Sequence, residues 1–572
     1  MEPCNCCVCS FLRNMGDLLL RAAQTFKRNF GFIIIFCLTN GLTYTMKLAN
    51  EGKGDFELSY FFTVLLWSFI VGGLIEWLFV PWFSKGLKCF ISCVSLFFFI
   101  VEAFVLYQYK AVIGVGVVAA MAETTPQESK EFLSMYLGPE QLWAIFLIVA
   151  IVSAFAYYKP WRKVQCDEQS QKVISGITLS VCIGYTICAF SYYPNYMIDD
   201  PLTPFTRFAN AASKAWENHV AYQELSQHID TNIELTRNDG DITNIVFIQG
   251  ESTNRNHMHL YGYDVPNTPN LDDMAATGEI SVFRDVVSAH STTVASLSKI
   301  FTFCDRETGG EWYNYHNLID IMNTAGYKTY WLSNQESSGV WGSVAQIYAA
   351  HSAVSEYTQI RDSKEDNGVL DGELFPIIDR AIASRDPNKN FFVVHLMGCH
   401  GAYYNRFPYI FTKFKKEDIK AGANDEQKQI IAQYDNAIYY NDYIVSGIID
   451  KFRETKTDSI VIYLPDHGEA VYDEDGFNGH IEENPSRHMI EVPLIIWASE
   501  SFKKKHPEKW LMIQMAVNRP FMTDDMIHTV MDIAGIVTPD WKPEKSLINP
   551  AFDATRPRIF DAQDYDKDIK NK

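Results

Sequence analysis

One short apolar run ends in a group of side chains that could bind a metal or move a proton. Residues 464–480, LPDHGEAVYDEDGFNGH, place Asp466, His467 and Glu469 directly after the run, and His480 follows an acidic stretch. Carboxylate oxygens with an imidazole nitrogen suit zinc or manganese, and histidine favours zinc over magnesium. The segment therefore predicts a metal or proton-transfer site at the end of a strand.

Polar residues follow other strand-like runs in the same half of the chain. Helical patterns separate these runs, and this alternation predicts a mostly parallel sheet covered by helices. Ligands of such sheets bind beyond the carboxyl ends of the strands. Glu251 follows the first run, His400 the third, and Asp466 with His467 the fourth, so we expect one shared site. The runs are Thr243–Gly250, Tyr327–Ser333, Asn390–Gly398, Asp458–Asp466 and Val492–Ala498.

Three of these residues form an open set of metal ligands. Glu251, Asp466 and His467 supply three donors and leave a fourth position free, which is the pattern of a catalytic rather than a structural metal.

Hydroxyl groups that could fill the fourth position lie in SAHSTTVASLSKIFTF, residues 288–303. Ser291, Thr292 and Thr293 precede an amphipathic helical pattern, and a helix N-terminus attracts phosphate. A hydroxyl at a metal would become a nucleophile. The residues alone leave open the alternative that one of the three only caps the helix.

Five windows in the first 193 residues are long and apolar enough to span a membrane, and the third carries Glu102. Three clusters of lysine and arginine lie before the first span, between the second and third, and between the fourth and fifth. With five spans all three fall on one side, which predicts a cytoplasmic N-terminus. Everything after Tyr193 then lies on the opposite side. The windows are Phe30–Met46, Tyr60–Trp82, Cys89–Tyr107, Leu142–Tyr158 and Val173–Tyr193.

Three regions follow from this pattern. Residues 1–193 are predicted to form the membrane anchor, and residues 194–240 a linker with an amphipathic helix that lies on the membrane surface or packs on the following domain. Residues 241–572 are predicted to form the external domain.

Composition excludes some functions. A net charge of −20 over 572 residues argues against nucleic-acid binding. Only Cys304 and Cys399 lie in the predicted external domain, so at most one disulfide could form there. The cluster between Cys4 and Cys9 lacks zinc-finger spacing, and lipidation or no role is the preferred interpretation.

Several motifs in this order resemble the phosphoethanolamine transferases, membrane-anchored enzymes of the alkaline phosphatase/sulfatase superfamily that modify bacterial lipopolysaccharide. The motifs are GESTNRNHMHLYGY, the threonine-rich helix start, GCHGAYYNRFP, and PDHGE followed by GH. LSNQ and NPSRHM resemble the branch acting on the lipopolysaccharide core more than the lipid A branch. The resemblance implies a five-span α-helical bundle in the bacterial inner membrane, followed by a periplasmic α/β domain of the alkaline-phosphatase type.

The resemblance also implies a metal site. Glu251, Asp466 and His467 would bind zinc, with Thr293 as the fourth ligand and the nucleophile. Thr293 is preferred to Thr292 because the family's threonine lies three residues before a serine followed by an apolar residue. One zinc ion is expected, and a second remains open.

Further roles are implied for neighbouring residues. His400 and His480 would act in catalysis, and Glu469 and His488 would contact the substrate. A surface or core role for His488 is an equal alternative.

The implied reaction moves phosphoethanolamine from phosphatidylethanolamine to lipopolysaccharide through a phospho-threonine intermediate, carried out by a monomer at the bilayer. Alternatives are a glycerophosphate transferase of the lipoteichoic-acid type, a phosphodiesterase, and a non-catalytic membrane receptor with the same fold. A sulfatase is disfavoured because the formylglycine motif is absent. The lipid A branch carries several disulfides and a lysine after W-x-x-N that this chain lacks, which leaves the acceptor open.

Overall fold

A computed structural model gives the fold as two compact units. The N-terminal unit comprises residues 1–121 and 136–215, and the C-terminal unit residues 122–135 and 216–572. The structure describes residues 30–47, 61, 63–68, 71, 75, 78, 81–109, 112–114, 117–118, 121, 143, 147, 203–225, 230, 232–336, 344–359, 369–420, 424–473, 476–482, 485–560 and 563–570.

Two helices in the described part of the N-terminal unit have the length and composition of membrane spans. They are α1, Phe30–Lys47, and α2, Pro81–Tyr109, whose apolar stretch is Phe83–Tyr107. They coincide with the first and third predicted windows. The second window is described only in part, and the fourth and fifth lie outside the described residues apart from Trp143 and Leu147. The five-span anchor therefore stays a prediction.

Glu102, inside α2, is fully buried and ion-paired. Its partner is Arg207 of α3, Pro204–Leu225, whose Nε donates to Glu102 Oε2 over 2.8 Å and whose Nη2 bonds the other oxygen. The hydroxyl of Thr43 in α1 donates to the same carboxylate. Charged groups among apolar helices are stable only with such partners. The pair therefore joins the start of α3, in the predicted linker, to both apolar helices.

Replacing one member of this pair should destabilise the N-terminal unit. Arg207→Met leaves the Glu102 carboxylate buried without its cation, which costs about 3 kcal/mol. Adding Glu102→Met should restore most of the loss, because no charge then remains. Thermal unfolding in detergent measures both. Arg237→Met, which breaks an exposed pair with Asp239, is the control and should change little. Equal losses in the single and double variants would contradict the assignment.

Seven strands of the C-terminal unit form one sheet: β1 Asn244–Gly250, β2 Ile280–Phe283, β3 Lys328–Glu336, β4 Val354–Gln359, β5 Asn390–His395, β6 Ser459–Pro465 and β7 Leu494–Ala498. Their order across the sheet is β2-β7-β6-β1-β5-β3-β4. Strands β6, β1, β5, β3 and β4 are parallel, while β7 is antiparallel to both of its neighbours. The mostly parallel sheet is thus confirmed.

Both faces of this sheet are buried. In β1, Ile245 and Phe247 belong to one apolar cluster, whereas Val246 and Ile248 belong to another, because successive side chains of a strand point to opposite faces. A strand that is buried on both faces carries an uninterrupted run of apolar residues in the sequence. The helices of this unit are α4 Pro269–Ala276, α5 Thr293–Ile300, α6 Leu318–Thr324, α7 Val344–His351, α8 Leu374–Ala383, α9 Asp425–Glu454, α10 Arg487–Ile490, α11 Glu500–Lys505, α12 Pro507–Met515 and α13 Met526–Ala534.

Two-residue strands complete the unit. Ala470–Val471 pairs with Asn478–Gly479, and this small hairpin lies between the predicted site residues Glu469 and His480. The other short pairs are Arg237–Asn238 with Ile536–Val537, Val286–Val287 with Phe521–Met522, and Ile559–Phe560 with Gln563–Asp564.

Candidate metal centre and active site

The carboxyl ends of β1 and β6 bring the first predicted ligands together. These strands pair in parallel with Gly250 opposite Pro465, so Glu251 and Asp466 leave the sheet side by side. Ser252 has a φ of +51°, and its N–H donates to Asp466 Oδ1 over 3.2 Å. A left-handed serine is strained by about 1–3 kcal/mol, and the surrounding structure holds it at this turn.

The predicted ligand atoms converge on one point. Thr293 Oγ1 lies 3.3 Å from each carboxylate oxygen of Glu251 and 3.4 Å from His467 Nε2. His467 Nε2 lies 3.4 Å from Glu251 Oε1 and from Asp466 Oδ2. Tetrahedral ligands at zinc distances are separated by roughly 3.3 Å. The geometry therefore fits a zinc ion.

Electrostatics support the same interpretation. Burial raises the pKa of the Glu251 carboxyl well above its usual range, and the neighbouring Asp466 raises it further. Burial also lowers the pKa of His467. Asp466 Oδ2 is buried and accepts no hydrogen bond from the residues described. Two adjacent buried carboxylates facing a neutral imidazole are unfavourable without a cation, so this donor set fits a divalent metal.

The His467 ring is oriented for metal binding. Its Nδ1 donates to the backbone carbonyl of Gly468 over 2.7 Å, which leaves the Nε2 lone pair toward Glu251 and Asp466. Metal-binding histidines commonly have their other nitrogen fixed in this way.

Thr293 is the hydroxyl of its segment that faces the ligands. Thr292 occupies the N-cap position of α5, but its side chain makes no capping hydrogen bond. The Ser291 hydroxyl instead donates to the carbonyl of Ile481 over 2.7 Å. The simple N-cap interpretation therefore does not account for Thr293, the first residue of α5.

A second group of potential ligands shares His467. Its ring centroid lies 4.1 Å from that of His480, and His480 Nδ1 lies 2.6 Å from Glu469 Oε2. These three side chains also have their donor atoms within 4.8 Å of one another. Burial alone would lower the pKa of His480, but the Glu469 carboxylate outweighs it and raises that pKa. His480 is thus placed to hold a proton against the His467 ring.

His400 reaches the same edge of the sheet through a close backbone contact. Cys399 N–H donates to the carbonyl of Glu251 over 3.0 Å. Gly398 has a φ of +54°, and a Cβ there would lie 2.7 Å from that carbonyl oxygen, so only glycine fits. His400 therefore lies in a loop fixed against the Glu251 turn.

His488 has a different environment. Its Nδ1 lies 3.2 Å from Asn254 Nδ2 and 3.5 Å from Asp473, and its side chain is buried. This placement favours the core alternative over direct substrate contact.

Sequence reasoning missed residues that hold the ligands. Ser252 donates its hydroxyl to Glu251 Oε1 over 2.8 Å. Gln335, at the end of β3, places its amide nitrogen 3.4 Å from Glu251 Oε2 and 3.1 Å from the carbonyl of Leu396. Both lie in segments already noted, GES and LSNQ, and a polar residue at a strand end was the available signal for Gln335.

Glu482 was also missed. Its carboxylate is hydrogen-bonded to the His290 ring and accepts a hydrogen bond from the backbone N–H of Ser291 over 3.0 Å. It therefore ties the loop after His480 to the loop before Thr293. The sequence feature that could have identified Glu482 is an acidic residue two positions after the predicted catalytic His480.

The two cysteines of the described C-terminal unit are free and buried. Cys304 accepts a hydrogen bond from Lys299 Nζ over 3.0 Å, and burial raises the pKa of Cys399. No disulfide joins them.

His257 anchors the hairpin between Glu469 and His480. Its Nε2 lies 2.8 Å from Asp473 Oδ1, and its Nδ1 lies 3.6 Å from Asp435 Oδ1. Burial alone would lower the pKa of His257, but these carboxylates raise it to about 10. The same pairing outweighs burial at Asp473 and lowers its pKa to about 2.

Loss of this histidine should be costly and pH-dependent. His257→Gln leaves buried carboxylates unpaired, for a loss of about 3 kcal/mol near pH 6. The raised pKa of His257 means that its stabilisation is complete below its unfolded value of about 6.5 and disappears as the pH rises through about 10. The lowered pKa of Asp473 means that its stabilisation is present above about 3.9 and is lost as the pH falls through about 2.

Denaturant unfolding at pH 6 and pH 9 checks this prediction. The difference in unfolding free energy between wild type and His257→Gln should shrink at pH 9. His259→Gln, which breaks an exposed pair with Asp272, is the matched control. A difference that is independent of pH would refute the ion pair.

Comparisons with known proteins agree with this architecture. A family model described as Sulfatase matches residues 243–536. The chain is 28% identical over 462 residues to phosphoethanolamine transferase EptC of Escherichia coli O18:K1:H7, covering 77% of this chain and 78% of that protein.

Two solved structures extend the comparison. The zinc complex of the periplasmic domain of Escherichia coli EptC shares 29% identity and a TM-score of 0.55, covering 59% of this chain and 96% of that one. The integral membrane lipooligosaccharide phosphoethanolamine transferase A of Neisseria meningitidis, at 20% identity and a TM-score of 0.65, covers 92% of this chain and 97% of its own and shows the fold. The motif resemblance is confirmed: the chain belongs to the sulfatase family and, within it, to the phosphoethanolamine transferases.

Proposed function

We propose that this chain transfers phosphoethanolamine from phosphatidylethanolamine to lipopolysaccharide, with Thr293 as the residue that carries the group. The observation that carries this proposal is the Thr293 hydroxyl, which lies 3.3 Å from Glu251 and 3.4 Å from His467 at the start of α5. A helix N-terminus offers unpaired N–H groups to a phosphate at the same point. Nucleophile and phosphate binding thus coincide.

A cation supports the nucleophile in this proposal. Glu251, Asp466, His467 and Thr293 would hold zinc, which supplies positive charge that lowers the pKa of a hydroxyl and offsets phosphate charge. One ion at this set is proposed. A second ion at His467, Glu469 and His480 is not proposed, because His467 Nδ1 donates to the Gly468 carbonyl and its Nε2 would face the first ion.

The cycle begins with Thr293 deprotonated, its proton released to solvent, and the first step forms a bond between Thr293 Oγ1 and the phosphorus of the donor. The bond between phosphorus and the glycerol oxygen breaks, and diacylglycerol leaves. His480, whose Nδ1 lies 2.6 Å from Glu469 Oε2, donates the proton that the leaving oxygen needs.

The second step reverses these roles. An acceptor oxygen attacks phosphorus, the bond to Thr293 breaks, and the neutral His480 or His400 takes the acceptor's proton. The Thr293 oxygen leaves phosphorus as the alkoxide that began the cycle, and phosphoethanolamine remains on the acceptor.

We further propose an inner-membrane location, with a five-span anchor and the C-terminal unit in the periplasm as a monomer. The apolar helices α1 and α2 support an anchor. A donor that is a lipid and an acceptor that is membrane-bound both favour it. The acceptor we propose is the lipopolysaccharide core, because LSNQ and NPSRHM resemble the branch of the family that acts on the core.

Transfer in nanodiscs tests this function. The purified full chain is given phosphatidylethanolamine with a radiolabelled headgroup, together with core-bearing lipopolysaccharide or lipid A without core. Label on the core-bearing acceptor alone is expected. Label on lipid A without core would contradict the proposal that the core is the acceptor. Release of soluble phosphoethanolamine would favour a phosphodiesterase, and activity only with phosphatidylglycerol would favour a glycerophosphate transferase.

A further inference from the structure

Two apolar side chains of the C-terminal unit project almost wholly into solvent. Tyr409 is 90% exposed and Ile410 is 86% exposed, the highest values among the large hydrophobic side chains described. They lie next to each other in a single 3-10 turn, Tyr409–Phe411. Adjacent exposure of this degree indicates a contact surface rather than scattered surface hydrophobics.

The turn is held rigidly from below. Phe411 packs on Tyr440 and Tyr443 of α9, with ring centroids 4.8 and 5.2 Å apart. The Asn436 side chain accepts the backbone N–H of Lys413 and of Phe414, each over 2.8 Å. The exposed pair is therefore presented by an anchored turn.

The same segment is joined to the active-site loop. The Arg406 guanidinium donates to the carbonyl of His400 over 3.0 Å and to that of Gly401 over 2.8 Å. The Tyr403 hydroxyl donates to Glu469 Oε1 over 2.7 Å. The segment that carries the exposed turn is thus joined by hydrogen bonds to the loop of His400 and to Glu469, which belong to the proposed active site.

Charge identifies the kind of surface that fits. The turn lies in a basic segment, YNRFPYIFTKFKK, residues 404–416, which Glu417 and Asp418 follow directly. Arg406 is bonded to carbonyls and Lys416 to Asp425, so Lys413 and Lys415 supply the positive charge beside the turn. Lys413 and Lys415 are exposed, and Lys413 Nζ lies 4.4 Å from the ring centroid of Tyr439. Tyrosine prefers the headgroup region, isoleucine the acyl boundary, and lysine the anionic surface.

We propose that the Tyr409–Phe411 turn inserts into the surface of a phospholipid bilayer that contains anionic lipid. Tyr409 and Ile410 enter the interface, while Lys413 and Lys415 contact lipid phosphates. The active-site loop is then held at headgroup level. The identity of the reacting lipid rests on the proposed function, but the insertion itself does not.

Site-specific photocrosslinking tests insertion without requiring turnover. The full chain carries benzoylphenylalanine at position 410, in nanodiscs of phosphatidylethanolamine and phosphatidylglycerol, and mass spectrometry detects lipid adducts. The matched control places the probe at Met515 of α12, which is 69% exposed. Lipid adducts at 410 at least about fivefold above those at 515 are expected. Equal adduct levels, or adducts to protein only, would overturn the proposal.

Activity supplies the second readout. Tyr409→Ser/Ile410→Ser should reduce transfer from the bilayer donor about tenfold and leave reaction with a soluble short-chain donor unchanged. Leu511→Ser/Met515→Ser, which removes exposed apolar side chains elsewhere, should reduce neither. Equal loss with both donors would overturn a role in membrane contact. Wild-type failure with both donors, with lipid crosslinks intact, would overturn the proposed function and not the insertion.

Discussion

Thr293→Ala should reduce phosphoethanolamine transfer by at least about ten-thousandfold, while zinc remains bound through Glu251, Asp466 and His467. The reason is that the Thr293 oxygen lies beside both the proposed metal ligands and the N-terminus of α5. Turnover of radiolabelled donor measures the loss, and metal analysis of the same sample measures the zinc.

Thr292→Ala is the matched control for this experiment. Thr292 is adjacent, has the same side chain and occupies the N-cap without a side-chain capping bond, so transfer should fall by less than about threefold. If Thr292→Ala were inactive and Thr293→Ala active, the nucleophile would be assigned to the wrong threonine.

Asp466→Asn should produce opposite effects on stability with and without zinc. Zinc affinity should fall at least about a hundredfold, because a charged ligand becomes neutral. Without metal, the variant should unfold at a higher temperature than metal-free wild type, since one of two adjacent buried carboxylates has been removed. The N–H groups of Ser252 and His467 both donate to Asp466 Oδ1, an oxygen that asparagine retains.

Asp442→Asn provides the control for this second prediction. Asp442 is equally buried, but it accepts the backbone N–H groups of Asn270 and Leu271 at the start of α4, so zinc content should be unchanged. Metal content and unfolding temperature are measured for wild type, Asp466→Asn and Asp442→Asn, each with and without chelator. A metal-free Asp466→Asn protein less stable than metal-free wild type would contradict carboxylate repulsion as the reason for metal binding.

The position of the site at the sheet edge was predictable because parallel strands share the direction of their carboxyl ends. Glu251, Asp466 and His467 each follow an apolar run, and the structure brings them together because β1 and β6 are neighbours. Of the five predicted strands, Val492–Ala498 proved antiparallel, as β7. The edge strands β4 and β2 were missed, because VSEYTQ is mostly polar and ISVF, although apolar and buried, is only four residues long.

Contacts between distant segments could not be predicted. Gln335 reaches Glu251 only because β3 lies beside β5, and strand order is not encoded in any local pattern. Glu102 was visible as a charge within an apolar window, but its partner Arg207 is 105 residues away. His488 resembled a substrate ligand by proximity to His480 in sequence, whereas the fold places it against Asn254 and Asp473.

Intact-mass spectrometry tests the covalent role of Thr293 most directly. The full chain is incubated with phosphatidylethanolamine in the absence of acceptor, beside Thr293→Ala. A mass increase of one phosphoethanolamine group on wild type, absent from Thr293→Ala and mapped to Thr293 by fragmentation, is the predicted result. A zinc-loaded wild-type protein that releases diacylglycerol without any adduct, or an adduct that persists in Thr293→Ala, would contradict it.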